Sequence, residues 1–299
     1  MDNKTCYISV FYLGDRRKEM SESKLDKLFL LKTQIFHLSH YKHNLKEIFL
    51  VFNLDKEHEC FIPEINDLIP NRIQNTKVTT ILRKNIGMSY GAWDEVFQNY
   101  KNDFDYYIFN EDDYNFVQDN WDQYLVNKFN FYGDCGYVCP MVKEPMPHSN
   151  YKKNTIHSTG ISSGKVLNKL LDTYKELPHS KDQNYKGGEA SQLIFSHSFI
   201  EIGYNLYDIR EDYKCAFAMT EPESMDFWKA FYWNKEHLIL PTKALHFTKN
   251  HIKPHSWYIC NDNQYQNHHK PTTLKEALLC KQEKIEIEQL REKPYDKNE

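Results

Sequence analysis

Asp105-Tyr106-Tyr107-Ile108-Phe109-Asn110-Glu111-Asp112-Asp113-Tyr114 is an apolar, aromatic-rich run that ends in three consecutive acids. Tyr106 to Phe109 carry strand-forming side chains in a run too short for a helix, which predicts a buried strand. Glu111, Asp112 and Asp113 then fall where that strand leaves its sheet. Hard oxygen donors crowded at one point repel one another unless a cation offsets them, so the triplet marks a candidate divalent-metal site. A solvated acidic turn explains the same three residues taken alone, and the decision falls to the rest of the chain.

Working outward, the first half alternates strands and helices. Cys6 to Leu13 form an apolar run, and Leu25, Leu28, Leu31 and Ile35 recur at helical spacing, predicting a helix over about 23–39. Glu47 to Leu54 read as a strand covered on both faces, with Asp55 directly after it. A polar connection containing Pro63 and Pro70 leads to a strand at 77–83. Asn85-Ile-Gly-Met-Ser-Tyr-Gly-Ala-Trp93 then opens a helix to about Tyr100. This rhythm predicts an α/β fold: an open, mostly parallel sheet flanked by helices, with right-handed crossovers and a binding crevice at the strands' carboxyl ends. Gly14, Asp55, Asn85 and Glu111–Asp113 would share that rim.

Past the triplet, Trp121 to Phe129 predict a helix and Tyr137 to Val142 a strand. Lys143 to His157 suit a loop over a site, and Gly160-Ile-Ser-Ser-Gly164 leads into another helix. A polar loop from Pro178 ends at Gly187-Gly188-Glu189, followed by a helix over 190–200 and a strand over 204–209. The core is therefore placed at 1–213. Dense Trp, Pro and His over 214–273 predict an extension packed on that core, and 274–299 form a charged tail with helical spacing.

Composition narrows the classes. At 299 residues with a net charge of −4, the chain has room for a large core and lacks the basic excess of a nucleic-acid binder. No apolar run reaches the length of a membrane span, and the N-terminus enters a strand with no signal-like segment, so a soluble, cytoplasmic protein is expected. The seven scattered cysteines, odd in number and without a Cys-x-x-Cys pair, read as reduced thiols.

Taken together, Asn85–Trp93 followed by Tyr107-Ile-Phe-Asn-Glu-Asp-Asp113 resembles glycosyltransferases of the GT-A fold, over roughly residues 5–250. The pair looks like the donor-site helix and the Asp-x-Asp metal motif of such enzymes, read here as Glu-Asp-Asp, with Ser89 where many relatives carry an acid. The resemblance implies a Rossmann-like GT-A core, a nucleoside-diphosphate sugar donor and a hydroxyl acceptor such as a glycan. It further implies that His246 completes a metal site with Glu111 and Asp113, that Glu189 is the catalytic base of an inverting reaction, and that Gly160 lies in a loop approaching the donor sugar. Tyr12, Asp55, Arg83, Asn85 and Asp112 would line the nucleotide-sugar pocket. Oxygen ligands with one imidazole suit Mn²⁺ or Mg²⁺. A retaining transferase, a sugar-phosphate nucleotidylyltransferase and a non-catalytic nucleotide-sugar-binding protein remain as alternatives. Gly14-Asp-Arg-Arg17 is a poor version of the triphosphate loop that the nucleotidylyltransferase would need.

Overall fold

The computed structural model describes residues 3–13, 28–112, 114–116, 119–139, 142–143, 155–156, 159–181, 185–208, 217–219, 246–248 and 251–253. Its strands are β1 (Thr5–Tyr12), β2 (Glu47–Leu54), β3 (Arg72–Ile73), β4 (Thr76–Lys84), β5 (Tyr106–Glu111), β6 (Tyr114–Phe116), β7 (Cys135–Cys139), β8 (Val142–Lys143), β9 (Thr155–Ile156), β10 (Gly160–Ser163), β11 (Asn205–Asp208), β12 (Phe217–Met219), β13 (His246–Thr248) and β14 (His251–Lys253). The helices are α1 (Phe29–His40), α2 (Ile62–Leu68), α3 (Met88–Tyr100), α4 (Trp121–Phe131), α5 (Gly164–Tyr174) and α6 (Tyr185–Glu201).

Eight strands form one sheet in the order β11-β7-β10-β5-β1-β2-β4-β3. β1 pairs in parallel with both β2 and β5, and β2 with β4, while β10 and β3 run antiparallel to their neighbours. The chain thus steps outward from β1 through β2 to β4, then returns to lay β5 on the other side of β1. That reversal falls between β1 and β5, and the carboxyl ends of strands at such a switch point are where open α/β sheets bind ligands.

Strand alternation divides the apolar side chains between two faces. Tyr107 and Phe109 of β5 point one way, packing on Phe97 and Trp93 of α3 at ring-centre distances of 4.9 and 5.2 Å, with Phe195 of α6 behind. Tyr106 points the other way, onto Phe129 of α4. On that same face the hydroxyl of Tyr7 accepts a 2.7 Å hydrogen bond from Gln34 of α1, and its ring packs edge-on to Trp121. A sheet covered on both faces explains why β2, Glu47-Ile-Phe-Leu-Val-Phe-Asn-Leu54, is a continuous rather than alternating apolar run.

Three expectations are corrected. Residues 56–68 are not a plain connection: a 3-10 turn, Lys56–Phe61, runs into α2. Pro63 is compatible because it stands in the first turn, where its missing N–H would have had no intrahelical partner. α6 begins at Tyr185 rather than 190, so Gly187 and Gly188 lie inside it and Glu189 sits a turn further in than expected. Gly188 packs closely on α3 there: a Cβ on it would lie 3.3 Å from Met88 Sδ, so that side chain would have to give by a few tenths of an ångström. Gly160, expected in a loop, opens strand β10 opposite Phe109.

β12, within the region read as an extension, pairs antiparallel with β6, and β13 and β14 form a hairpin. The tail over 274–299 and most of the loop over 143–157 lie outside the described residues. Cys6, Cys60, Cys135 and Cys139 are free thiols. Among the described residues no helix is long and apolar enough to cross a membrane.

Candidate functional site at the carboxyl edge of the sheet

The site grows from the ends of four parallel strands. At the end of β1 the backbone N–H of Tyr12 donates to Asp112 Oδ2 at 3.2 Å, and its phenol donates to Asp55 Oδ2 at 2.8 Å. Asp55 is held in turn as the cap of the 3-10 turn: its side chain accepts from the backbone N–H of His58, and its own N–H donates to His58 Nδ1 at 3.3 Å. The His58 ring stands perpendicular to that of Tyr12, 5.5 Å away. The side chain of Asp55 stays 32% exposed, so oxygen lone pairs remain open to a ligand at this edge.

The acidic turn has its own scaffold. Asn110, fully buried at the end of β5, donates from Nδ2 to the carbonyls of Glu111 at 2.6 Å and Tyr114 at 3.0 Å, bracketing the turn from both sides. Its Oδ1 accepts from Thr159 at 3.3 Å. Glu111 is half-buried and Asp112 buried. Consecutive carboxylates held on a clamped turn have the hard-oxygen character a divalent cation requires, and burial makes the negative charge costly without an offset. Asp113 lies outside the described residues.

The turn from β4 into α3 is built differently. Gly87 and Met88 both take left-handed backbone, at φ 73° and 52°, a strained conformation for methionine. Side chains from neighbouring strands hold it. Asn53 Nδ2 donates to the Met88 carbonyl at 3.0 Å, and Arg83 donates to Asn53 Oδ1, to the Ile86 carbonyl at 2.9 Å and to Glu95 at 2.7 Å. The guanidinium is thus committed to shaping the turn, with the side chain 8% exposed. Asn85, next along, is buried, and its Oδ1 has no hydrogen-bond partner.

Of the residues singled out in the sequence, Tyr12, Asp55 and Asp112 meet through hydrogen bonds, while Glu111 ends β5 and Asn85 directly follows β4 at the same edge. Gly160 is surrounded by protein: a Cβ there would lie 2.2 Å from the Val138 carbonyl oxygen and 2.4 Å from the Tyr137 ring. Glu189 lies in α6 and His246 opens β13, and the side chains of both are outside the described residues. Sequence reading missed Asn110, Asn53 and His58. The first two signal themselves only as asparagines ending apolar strands, and His58 only as the third residue after a capping Asp.

No family model matches the chain, and no curated protein matches it. Among solved structures it is similar to a 4-diphosphocytidyl-2C-methyl-D-erythritol synthase from Anaerococcus prevotii, at 13% identity and TM-score 0.44 over 69% of this chain and 86% of that one. It is also similar to a cytidylyltransferase from Leptospira borgpetersenii, at 12% identity and TM-score 0.41 over 69% and 75%. TarS of S. aureus aligns at 14% identity and TM-score 0.36 over 69% of this chain and 35% of that one. Likeness at this level decides nothing about activity. The chain's own strand order defines its class: an α/β protein with an open, mostly parallel, Rossmann-like sheet flanked by helices.

Proposed function

We propose that the protein is a metal-dependent glycosyltransferase that moves a sugar from a nucleoside-diphosphate donor to a hydroxyl acceptor with inversion. The observation that carries this reading is the hydrogen-bonded set Asp55–Tyr12–Asp112, which spans the crevice where the strand order reverses. A carboxylate open to solvent on one side of Tyr12 suits a base or ribose donor. The acidic turn on the other side suits the diphosphate end.

Glu111 and Asp113, with His246, would hold Mn²⁺ or Mg²⁺, whose chemistry there is to neutralise charge developing on the departing diphosphate. Asp55 and Tyr12 orient the nucleoside, and Asn85 offers an acceptor to it. Arg83 and Asn53 fix the α3 turn from beneath. Glu189 takes the proton of the acceptor hydroxyl as that oxygen attacks the anomeric carbon and the bond to the diphosphate oxygen breaks.

Thermal stabilisation by a panel of nucleoside-diphosphate sugars and nucleoside triphosphates, with and without Mn²⁺, tests the assignment, since a true ligand raises the melting midpoint by mass action. The expected result is a Mn²⁺-dependent shift with at least one diphosphate sugar that disappears in Asp112→Ala. A shift confined to triphosphates, with pyrophosphate released from triphosphate and sugar phosphate, would assign nucleotidyl transfer instead.

A further inference from the structure

Besides the acidic turn, a second group of chemically capable side chains comes together, and the proposed reaction does not use it. Asp94 of α3 and Glu176 and His179 of the segment after α5 each place one ligand atom so that all three lie within 4.8 Å of one another. We propose that these residues form a divalent-cation site tying the segment after α5 to the first two turns of α3, with the ammonium of Lys181 as the counter-charge that the metal ion displaces.

Two of the three ligands are already set. His179 Nδ1 lies 2.7 Å from the Leu177 carbonyl, which can only accept, so this nitrogen carries the proton and Nε2 presents its lone pair to the cluster. Metal-binding imidazoles are held in this way, one nitrogen donating to a carbonyl or carboxylate and the other facing the ion. The ring is seated in a notch that two glycines leave: a Cβ at Gly87 would lie 2.5 Å from its Cδ2, and one at Gly91 would lie 3.2 Å from Nε2. Asp94 is buried and fixed from behind, its Oδ1 accepting from the Leu177 N–H at 2.7 Å and both its oxygens from Gln98 at 2.9 Å.

The remaining members are free to adjust. Glu176 and Lys181 pair with each other on side chains 36% and 57% exposed, and Lys181 Nζ stands 3.2 Å from His179 Nε2. The lysine therefore occupies the place an ion would take, at the low binding energy of an exposed pair. Ligand atoms around Zn²⁺ stand roughly 3.3 Å apart at bond lengths of about 2.0–2.2 Å, so no separation among the three has to close by more than about 1.5 Å, a shift within reach of side-chain rotation. One imidazole and two carboxylates suit Zn²⁺ best and Mn²⁺ next.

The test is Zn²⁺ binding by competition with a chromophoric chelator, on the full chain carrying Asp113→Ala so that the acidic turn's proposed ion does not contribute. Glu176→Gln, His179→Gln and Lys181→Met are each added to that background. The expected result is one ion bound per chain, with affinity at least tenfold weaker in Glu176→Gln and His179→Gln and stronger in Lys181→Met. Glu176→Gln keeps the shape of one half-buried side chain, and its melting midpoint separates a loss of binding from a loss of fold. Affinity unchanged by both Glu176→Gln and His179→Gln, or no specific ion in Lys181→Met, overturns the proposal and leaves the cluster a salt-bridged latch.

Discussion

The backbone N–H of Tyr12, where β1 ends, donates to the side chain of Asp112, just past the end of β5, at 3.2 Å. Because β1 and β5 are neighbours only through the reversal of strand order, this bond joins the two walls of the crevice. Replacing Asp112 by Asn keeps an oxygen for Tyr12 but removes a negative charge from the turn. We expect Asp112→Asn to bind a nucleoside-diphosphate sugar with Mn²⁺ at least tenfold more weakly, about 1.4 kcal/mol. Calorimetric titration measures it, and equal affinity would take Asp112 out of the site.

Tyr12→Phe removes the phenolic donor to Asp55 while the ring stays against His58. A hydrogen bond to a charged acceptor is worth about 1.5–3 kcal/mol, less where water replaces it. We expect nucleotide affinity to fall about three- to tenfold while the melting midpoint moves little. Asp55→Ala, which removes the acceptor as well as a cap, should cost more of both. If nucleotide affinity survives both changes, this end of the crevice does not hold the nucleoside.

Gly160 and Gly133 offer a controlled pair. A Cβ at 160 meets a backbone oxygen and an aromatic ring well inside contact distance, whereas one at 133 meets nothing within 4 Å. Gly160→Ala should destabilise the fold by about 1–3 kcal/mol or more, as overpacked cores do. Gly133→Ala should stay within about 0.5 kcal/mol of the parent. Urea denaturation of both reads the difference, and similar midpoints would contradict the β10 placement.

Acid should weaken the fold through His37. Burial, with a smaller contribution from His40, lowers this imidazole from 6.5 to about 3. A depressed pKa means that the unfolded chain takes up the proton first, so stability present above about pH 6.5 is lost progressively as pH falls toward 3. His37→Gln, which has no such proton to bind, should flatten the dependence in that window. Melting midpoints from pH 7 to pH 4 would show it, and an equally steep fall in the variant would assign the acid sensitivity elsewhere.

Local pattern was enough for the sheet's skeleton. Apolar runs at 6–13, 47–54, 77–83 and 106–109, punctuated by helical periodicity, give the strand–helix alternation, and that order favours parallel pairing with ligands at the carboxyl ends. The same logic set Asp55, Asn85 and Glu111–Asp113 on one rim, to which the GT-A resemblance added Tyr12. It failed where a residue's reason lies in a distant partner. Gly188 reads as a helix breaker because its packing against Met88 is a hundred residues away in sequence. Gly160 reads as a turn because Tyr137 and Val138 enter its space only once β7 pairs with β10.

What the sequence determined by itself, then, is the α/β class and the chemistry delivered to the strand ends, since both follow from side-chain periodicity and residue type over a few neighbouring positions. Tertiary structure alone decided that Asn110 brackets the acidic turn, that Arg83 is taken up by Asn53, Ile86 and Glu95, and that Asp94 meets His179 across eighty-five positions of chain. A hydrogen bond or a ligand set depends on positions in space to within a few tenths of an ångström. Those positions are fixed by which strands and helices pack together, and no local stretch of residues carries that information.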